Sequence, residues 1–304
     1  MDGLSASALT EEYVTETLPS AGVDAIQKTV AGTGDDFDDA IEQIKRLQAQ
    51  IERWPGVSQA RSVADLRETD ELSILFGFQD STPLADDPRN VGLFKQLGVR
   101  IVQLTYNCRN LSGNGCTERV DDGISQYGLE VIDELERRNL LLDLSHAGEA
   151  TAADALDAAS QPTVFSHSNP RAVHDHPRNI PDHLATAAVE TGGTVGINAY
   201  PAFVADEPTI DDLLDHVDYY DDLVGIENVT LGLDFIDNRN YDDLDILLDD
   251  PAYPDEPVSY PTGLASAAEL PAMTSALIDR GYSADEIRGI MGENLLRVYE
   301  SVWD

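Results

Sequence analysis

Eight short apolar segments alternate with amphipathic helical segments along this chain, and that alternation restricts its fold more than any other feature. The apolar segments are rich in β-branched residues and are bounded by Gly, Pro, Asn or Asp, which predicts buried strands. The predicted strands are Asp2–Ser5, Gly22–Val30, Leu72–Gln79, Val99–Tyr106, Leu140–Ser145, Thr163–His167, Gly193–Ala199 and Val229–Asp234. The predicted helices include Asp36–Trp54, Pro88–Leu97, Gln126–Asn139, Glu149–Ala159, Ile210–Val224, Ser266–Arg280, Ser283–Met291 and Glu293–Val302.

Strands that alternate with helices pair in parallel through helical crossovers. Eight is the number at which such a sheet closes into a (β/α)₈ barrel. An open doubly wound sheet is the alternative, but it is expected to carry a Gly-rich phosphate-binding turn after its first strand. This chain has Ala6-Ser7-Ala8-Leu9 there. We therefore predict an α/β fold, a (β/α)₈ TIM-like barrel in which residues 1–304 form one domain with C-terminal helices.

The formal charge of −38, from 57 acidic and 19 basic side chains, excludes several classes of function. Nucleic-acid binding requires a basic surface, and an anionic membrane surface repels an acidic protein, so neither is a predicted partner. With no membrane-spanning apolar run and no leader segment, a cytoplasmic location is expected. The acids are spread along the whole chain, which is typical of adaptation to a salt-rich cytoplasm, where repulsion is screened. An acidic protein from an ordinary cell is the alternative.

Two histidines close neighbouring predicted strands: His146 ends the fifth and His167 ends the sixth. Barrel enzymes carry their chemistry at the C-terminal ends of their strands. Neighbouring parallel strands lie about 4.8 Å apart, so both imidazoles can reach one point above the barrel. That arrangement suits a divalent metal bound at roughly 2.1 Å. The alternative is a pair of histidines that form hydrogen bonds at the rim without binding an ion.

Asp234 closes the eighth predicted strand. A buried carboxylate there needs a cation, a metal or a proton, which makes it a candidate general base or metal ligand. The alternative is that Asp234 has a structural role and caps the turn or helix that follows the strand.

A polar loop, Arg171–Asp182, follows the sixth predicted strand and carries Arg178 and Asn179. Its polar density is typical of a substrate loop, in which Arg178 would clamp a carboxylate or stabilise an oxyanion. The alternative is that Pro177 and Pro181 only stiffen a turn before the next helix.

The remaining candidate residues are two helical histidines and two cysteines. His183 and His216 lie in predicted helices and are expected at the surface. Cys108 and Cys116 flank a glycine-rich loop with a spacing that is not a zinc motif, and we expect ordinary loop residues. A nucleophilic cysteine paired with a rim histidine is the alternative.

Two motifs occur in order, Asp143-Leu144-Ser145-His146 and the run from Ser166 to Asp182 that begins Ser-His-Ser-Asn-Pro. Together with the segments Val99–Asn107, Gly123–Leu135, Leu231–Asp234 and Met291–Val298, they resemble the membrane (renal) dipeptidase family of zinc metallopeptidases, peptidase family M19. The resemblance implies a barrel of the metallo-dependent hydrolase type that cleaves dipeptides with two bridged zinc ions and metal-activated water. The implied partner is a dipeptide or small amide, and a homodimer is suggested.

The resemblance also implies roles for individual residues. His146 and His167 would be ligands of the second zinc, Asp234 the acid/base, and Arg178 the group that binds the substrate or its tetrahedral oxyanion. Further substrate-binding residues are then expected to be Tyr106, Asn107 and Asn179.

This chain departs from the family pattern at three positions. Its first strand opens Met1-Asp2-Gly3-Leu4-Ser5-Ala6 and lacks the His-x-Asp pair that binds the first zinc, and Gln79 stands where a bridging glutamate is expected. Tyr106 replaces a histidine that helps to hold the substrate. Because a neutral carboxamide cannot bridge two cations as a carboxylate does, we expect one zinc ion.

Three functional hypotheses follow. The first is a metal-dependent dipeptidase-like hydrolase whose metal is held by His146, His167 and a third ligand such as Asp234 or Gln79. The second is a barrel that binds a dipeptide-like ligand without cleaving it. The third is a cysteine- or aspartate-based hydrolase that needs no metal.

Overall fold

A computed structural model describes residues 1–239, 250–253 and 259–303. Each of the eight predicted strands is present in it, in most cases one to four residues shorter than the apolar segment at one end or both. The observed strands are β1 Asp2–Ser5, β2 Ala25–Ala31, β3 Val57–Gln59, β4 Leu72–Phe78, β5 Val99–Gln103, β6 Leu141–Asp143, β7 Thr163–Val164, β8 Val195–Ile197 and β9 Val229–Leu231.

Parallel pairing closes eight of these strands into a barrel, which confirms the predicted fold class. One sheet runs in the order β1-β2-β4-β5-β6-β7, and β8 pairs with β9. Parallel bridges between Phe165 and Val195 and between Ser5 and Phe235 join the two sheets at both edges. The Asp234 amide also donates to the Leu4 carbonyl at 3.1 Å, so backbone bonds continue around the ring.

The ninth strand, β3, was not predicted. It pairs with Leu72, Ser73 and Ile74 at the start of β4, whereas β5 pairs with the second half of the same strand. Three residues give too little hydrophobic periodicity to be recognised as a strand.

The helices confirm most of the predicted segments. In the described residues they are Leu18–Ser20, Phe37–Ile51, Val63–Arg67, Asn90–Leu97, Gln126–Arg137, Glu149–Ala158, Asp182–Glu190, Pro201–Val204, Ile210–Val224, Leu270–Arg280, Ala284–Arg288 and Asn294–Trp303. Asp36, Thr209 and Ser283 each begin a helix with a capping box. Such caps satisfy amide groups that the first turn leaves unpaired. None of the described helices is long and apolar enough to cross a membrane.

The C-terminal helix Asn294–Trp303 closes the N-terminal end of the barrel. Its buried side chains Leu295, Val298, Tyr299 and Val302 pack in one cluster with inward-facing strand residues that include Leu75 and Ile101. Because side chains alternate along a strand, the next inward positions are polar, among them Gln103 on β5 and Asp143 on β6. Polar side chains therefore accumulate toward the C-terminal ends of the strands.

The strand β8 approaches the end of β7 so closely that only glycine fits. A Cβ atom on Gly196 would lie 1.8 Å from the backbone oxygen of Ser166, a group that cannot swing away. We expect Gly196→Ala to lower the free energy of unfolding by about 3 kcal/mol, at the upper end of the usual cost of overpacking. The measurement is denaturant unfolding at fixed high salt.

The matched control is Gly32→Ala, where the nearest atom to the added Cβ is 3.9 Å away. It is expected to change stability by less than about 1 kcal/mol. Equal stability of the two variants would show that the strand ends can separate without cost.

Candidate active site

A cavity of about 310 Å³ opens at the C-terminal ends of the strands. Thr29, Gln79, Tyr106 and Asp234, which lie at the ends of β2, β4, β5 and β9 or just beyond them, contribute to its wall. Its other lining residues are Ala6, Gly32, Thr33, Asp35, Gln43, Tyr200, Ile236, Arg239 and Tyr253. We call this space the main cavity.

His146 and His167 are adjacent below the wall of this cavity, not exposed at its rim. Both are at most 1% exposed, and their Nε2 atoms lie 2.9 Å apart. Tyr106 stacks on His146 with ring centroids 4.0 Å apart, and the Tyr106 hydroxyl bonds to that of Tyr253 at 2.6 Å. The two tyrosines therefore separate part of the imidazole pair from the main cavity.

Hydrogen bonds to the other ring nitrogens fix the orientation of both imidazoles. Asn107 donates through Nδ2 to Asp250, so its Oδ1 faces His146 Nδ1 at 2.6 Å and must accept a hydrogen bond from the Nδ1–H group. Ser166 donates its only hydroxyl proton to Asp143, so its oxygen accepts from His167 Nδ1 at 2.6 Å. Both Nε2 atoms consequently carry a lone pair, and the two lone pairs face each other.

The electrostatic surroundings keep both imidazoles neutral. Burial, followed by the positive charge of Arg178, holds the pKa of His146 and of His167 well below 6.5. Neutral imidazole with a free nitrogen lone pair is the form that binds a metal.

The residues present therefore fit a cation that both Nε2 atoms bind from one side, off the line that joins them, because two facing lone pairs repel each other unless a positive charge lies nearby. Each histidine is hydrogen-bonded to a residue that is itself bonded to a carboxylate: Asn107 to Asp250, and Ser166 to Asp143. Such partners are typical of those that orient metal-binding histidines. Across residues 1–239, 250–253 and 259–303, no group of three or more His, Cys, Asp or Glu side chains is arranged to hold a metal ion. Gln79, the predicted weak third ligand, donates through Nε2 to the Thr29 hydroxyl at 2.7 Å.

Asp234 lies in the wall of the main cavity at the end of the strand ring. Its backbone has a left-handed φ of 56°, and Asn198 Nδ2 donates to its carboxylate at 3.3 Å. The same Asn198 group also approaches the His167 carbonyl at 3.3 Å, which connects Asp234 to the histidine pair. Burial raises the pKa of Asp234 to about 6, and the nearby charge of Arg178 and the bond from Asn198 partly oppose that rise.

Arg178 is 1% exposed and is among the largest fully buried side chains of the described residues. Its guanidinium donates to the His167 carbonyl at 3.0 Å and to the Ser168 hydroxyl at 3.5 Å, and it lies 5.2 Å from the centre of the Phe203 ring. Its Nε is buried without a hydrogen-bond partner, and it forms no ion pair with a described carboxylate. A buried cation without an anionic partner is costly, and an anion bound beside it would lower that cost.

The other predicted residues have local partners. Asn179 donates to the His174 and Phe203 carbonyls and so holds the loop, whereas Asn107 orients His146. His183 is exposed as predicted. The prediction that His216 lies at the surface was wrong. Its side chain is fully buried on the inward side of its helix, where Nε2 bonds to the Val204 carbonyl.

Sequence reasoning assigned no role to Asp143, Ser166, Asn198 or Tyr253. The first three occur at or near strand ends, a position that was itself a usable signal. Tyr253 lies far from any predicted strand and carries no motif.

The chain is similar to proteins described as dipeptidases. Residues 3–245 and 253–304 match the family model described as membrane dipeptidase (peptidase family M19). An uncharacterized dipeptidase of Schizosaccharomyces pombe is 32% identical over 239 residues, which are 77% of this chain and 54% of that protein. Dipeptidase aclJ of Aspergillus oryzae is 29% identical over 276 residues, 87% of this chain and 61% of that protein. The chain thus spans little more than half of these relatives.

Among solved structures, an amidohydrolase from Pseudomonas aeruginosa superposes with a TM-score of 0.94 at 32% identity. The match covers 99% of this chain and 95% of that one. The whole barrel is therefore shared with a protein of nearly the same length.

Proposed function

The chain belongs to the membrane dipeptidase family, peptidase family M19, and on that premise we propose that it is a metal-dependent hydrolase of dipeptides or related small amides. The observation that carries the proposal is the pair of neutral imidazoles whose Nε2 lone pairs face each other at 2.9 Å. Within a family of metallopeptidases, such a pair is best explained as two ligands of one ion.

We propose that His146 and His167 hold one zinc ion through Nε2. When bound, that ion would act as a Lewis acid on the scissile carbonyl and make water more acidic. Asn107 and Ser166 keep the ligand nitrogens aimed at it, and Tyr106 with Tyr253 shields the imidazoles from bulk water.

Asp234 is proposed as the proton carrier. Its pKa of about 6 means that Asp234 is ionised at neutral pH and can take a proton from the attacking water. Because this pKa lies within about one unit of neutral pH, the protonated carboxyl can then give the proton to the leaving amine. Arg178 is proposed to bind the anionic end of the substrate or the oxyanion of the tetrahedral intermediate.

The metal-free cysteine hydrolase is disfavoured by the surroundings of Cys116. Burial raises the pKa of this thiol to about 12, and the thiol donates to the Asn107 oxygen at 3.2 Å. A nucleophilic cysteine needs a lowered pKa instead. A dipeptide-binding barrel without turnover stays as the second candidate, because the main cavity and Arg178 serve binding and catalysis alike.

The test is zinc content per chain beside a dipeptide hydrolysis assay, on protein purified at high salt without chelator. We expect about one zinc per chain with turnover, and loss of both in His146→Ala because two ligands become one. His183→Ala, which removes an exposed histidine, is the matched control and is expected to keep both.

The other outcomes separate the hypotheses. Dipeptide binding without turnover under any divalent metal would favour the binding barrel, and turnover that persists in His146→Ala would favour a metal-free hydrolase. Two zinc ions per chain would require a second metal site, and the hypothesis that Gln79 and β1 do not form one would then be wrong. A cytoplasmic location, a salt-rich environment and a homodimer stay as predictions.

A further inference from the structure

A second cavity, of about 220 Å³, adjoins the main one between the end of β2 and the helix Phe37–Ile51. We call it the cationic cavity, because Lys28, Arg46 and Arg239 contribute to its wall and none of its described lining residues is acidic. The two cavities share Thr29, Gln43 and Arg239 as lining residues, so they lie side by side with those three side chains at their common boundary.

This composition is unusual for the chain. Acidic residues outnumber basic ones 57 to 19 in the whole sequence. Among the described residues that line the cationic cavity, three are basic and none is acidic. The main cavity, by contrast, has Asp35 and Asp234 in its wall. The positive charge is therefore concentrated on one side of the proposed substrate site.

Of the three basic residues that line the cationic cavity, Lys28 gives the strongest argument for a bound anion. It is only 8% exposed, and its ammonium group has one hydrogen bond, a long one of 3.4 Å to the Ala6 carbonyl. The two side-chain charges that act on it, Arg46 and Arg239, are both positive and, together with burial, lower its pKa to about 7. A buried ammonium in such surroundings costs stability, and an anion in the cationic cavity would offset that cost.

We propose that the cationic cavity is a carboxylate subsite that binds the acidic side chain of a dipeptide whose backbone lies in the main cavity. The inference rests on the proposed function and narrows it, since it selects dipeptides that contain Glu or Asp. Lys28 supplies a point charge at the base of the subsite, and Arg46 and Arg239 add positive charge from the helix and from the segment after β9.

The test compares substrates of the same shape that differ in charge: Ala-Glu against Ala-Gln, and Glu-Ala against Gln-Ala, at one fixed salt concentration. We expect kcat/KM to favour the acidic member of one pair by about tenfold, which is the rate effect of one charge-assisted contact. In Lys28→Met that ratio is expected to fall to within about twofold of unity. In Arg46→Gln it falls by about threefold.

Lys45→Met is the matched control, because Lys45 is an exposed lysine on the same helix. It is expected to keep the tenfold ratio. Arg46 is exposed, so Arg46→Gln serves as the test variant if Lys28→Met does not fold. Equal use of acidic and neutral dipeptides by the wild type would overturn the proposal, as would a preference that survives in both variants.

Failure of the proposed function is distinguishable from failure of this inference. If no dipeptide is cleaved with any metal, calorimetric titration with Ala-Glu and Ala-Gln decides the subsite separately. Binding of Ala-Glu at least about tenfold tighter, lost in Lys28→Met, supports it, and equal binding of the two overturns it.

Discussion

Replacement of Asp234 by Asn is expected to lower kcat for dipeptide hydrolysis by about a thousandfold, within the range attributed to general acid–base catalysis. The amide keeps an oxygen for the Asn198 bond but cannot take a proton from water. The measurement is steady-state hydrolysis together with zinc content. We expect the zinc content to stay at the wild-type value, because Asp234 is proposed as a proton carrier and not as a ligand.

The pH dependence follows from the same carboxyl group. Its pKa of about 6 means that the base is protonated below that pH, so wild-type kcat/KM should rise with pH through 6 and then level off. At pH 5 it should be about tenfold below the plateau. The Asn variant should lack this rise.

The sign for stability is opposite to that for activity. Because the folded-state pKa lies above the ordinary value of 3.8, the native chain binds the proton more tightly, and the ionised carboxylate costs stability above pH 6. We therefore expect Asp234→Asn to unfold at a higher temperature than the wild type at pH 8, with a gain of about 2–3 kcal/mol.

Asp237→Asn is the matched control for removing a nearby carboxylate. Asp237 accepts bonds from the Tyr13 hydroxyl and the Ala267 amide and has no proposed part in the reaction. It is expected to keep kcat within about threefold of the wild type. An Asp234→Asn enzyme with more than a tenth of wild-type kcat would show that another group moves the proton.

The barrel could be predicted from sequence because each strand of the ring is a short apolar segment bounded by turn residues. β3 was not predicted because its three residues are too few to show a hydrophobic pattern. It pairs only with the first half of β4, and β5 pairs with the second half. The burial of His216 was predicted wrongly because a polar residue on an amphipathic helix usually points outward, and only tertiary packing brings Val204 within reach of it.

Within the site, strand order alone predicted that His146 and His167 would meet, since they end neighbouring strands. The orientation of their ring nitrogens depends on Asn107, which follows β5, and on the contact of Asp143 in β6 with Ser166, which follows β7. Contacts of this kind join segments distant in sequence, and no local pattern encodes them. Lys28 was a visible signal in the sequence, because it is a lysine among apolar residues of a predicted strand, but its positive neighbours became evident only in three dimensions.

Arg178→Met is expected to lower kcat/KM by about a thousandfold and at the same time to increase the free energy of unfolding. Activity falls because the substrate carboxylate or the oxyanion loses its cationic partner in a buried site, where such contacts are strongest. Stability rises because a buried guanidinium with no carboxylate partner and an unpaired Nε is replaced by an apolar chain of similar length.

A pH profile distinguishes this role from simple damage to the fold. The charge of Arg178 lowers the pKa of Asp234, so its removal should move the rise in kcat/KM to a pH above 6. The same change should raise the pKa of both histidines toward 6.5 and weaken metal binding at acidic pH, because protonated imidazole cannot bind zinc.

Arg171→Met is the matched control on the same loop. Arg171 is partly exposed and pairs with Glu149, so its loss should leave kcat/KM within about threefold and the pH profile unchanged. If Arg178→Met instead lowers stability and keeps the wild-type profile, the guanidinium serves the fold through its bonds to the His167 carbonyl and the Ser168 hydroxyl. The anion would then have to be bound by another group in the main cavity, and Arg239 in its wall is the basic side chain among the described lining residues.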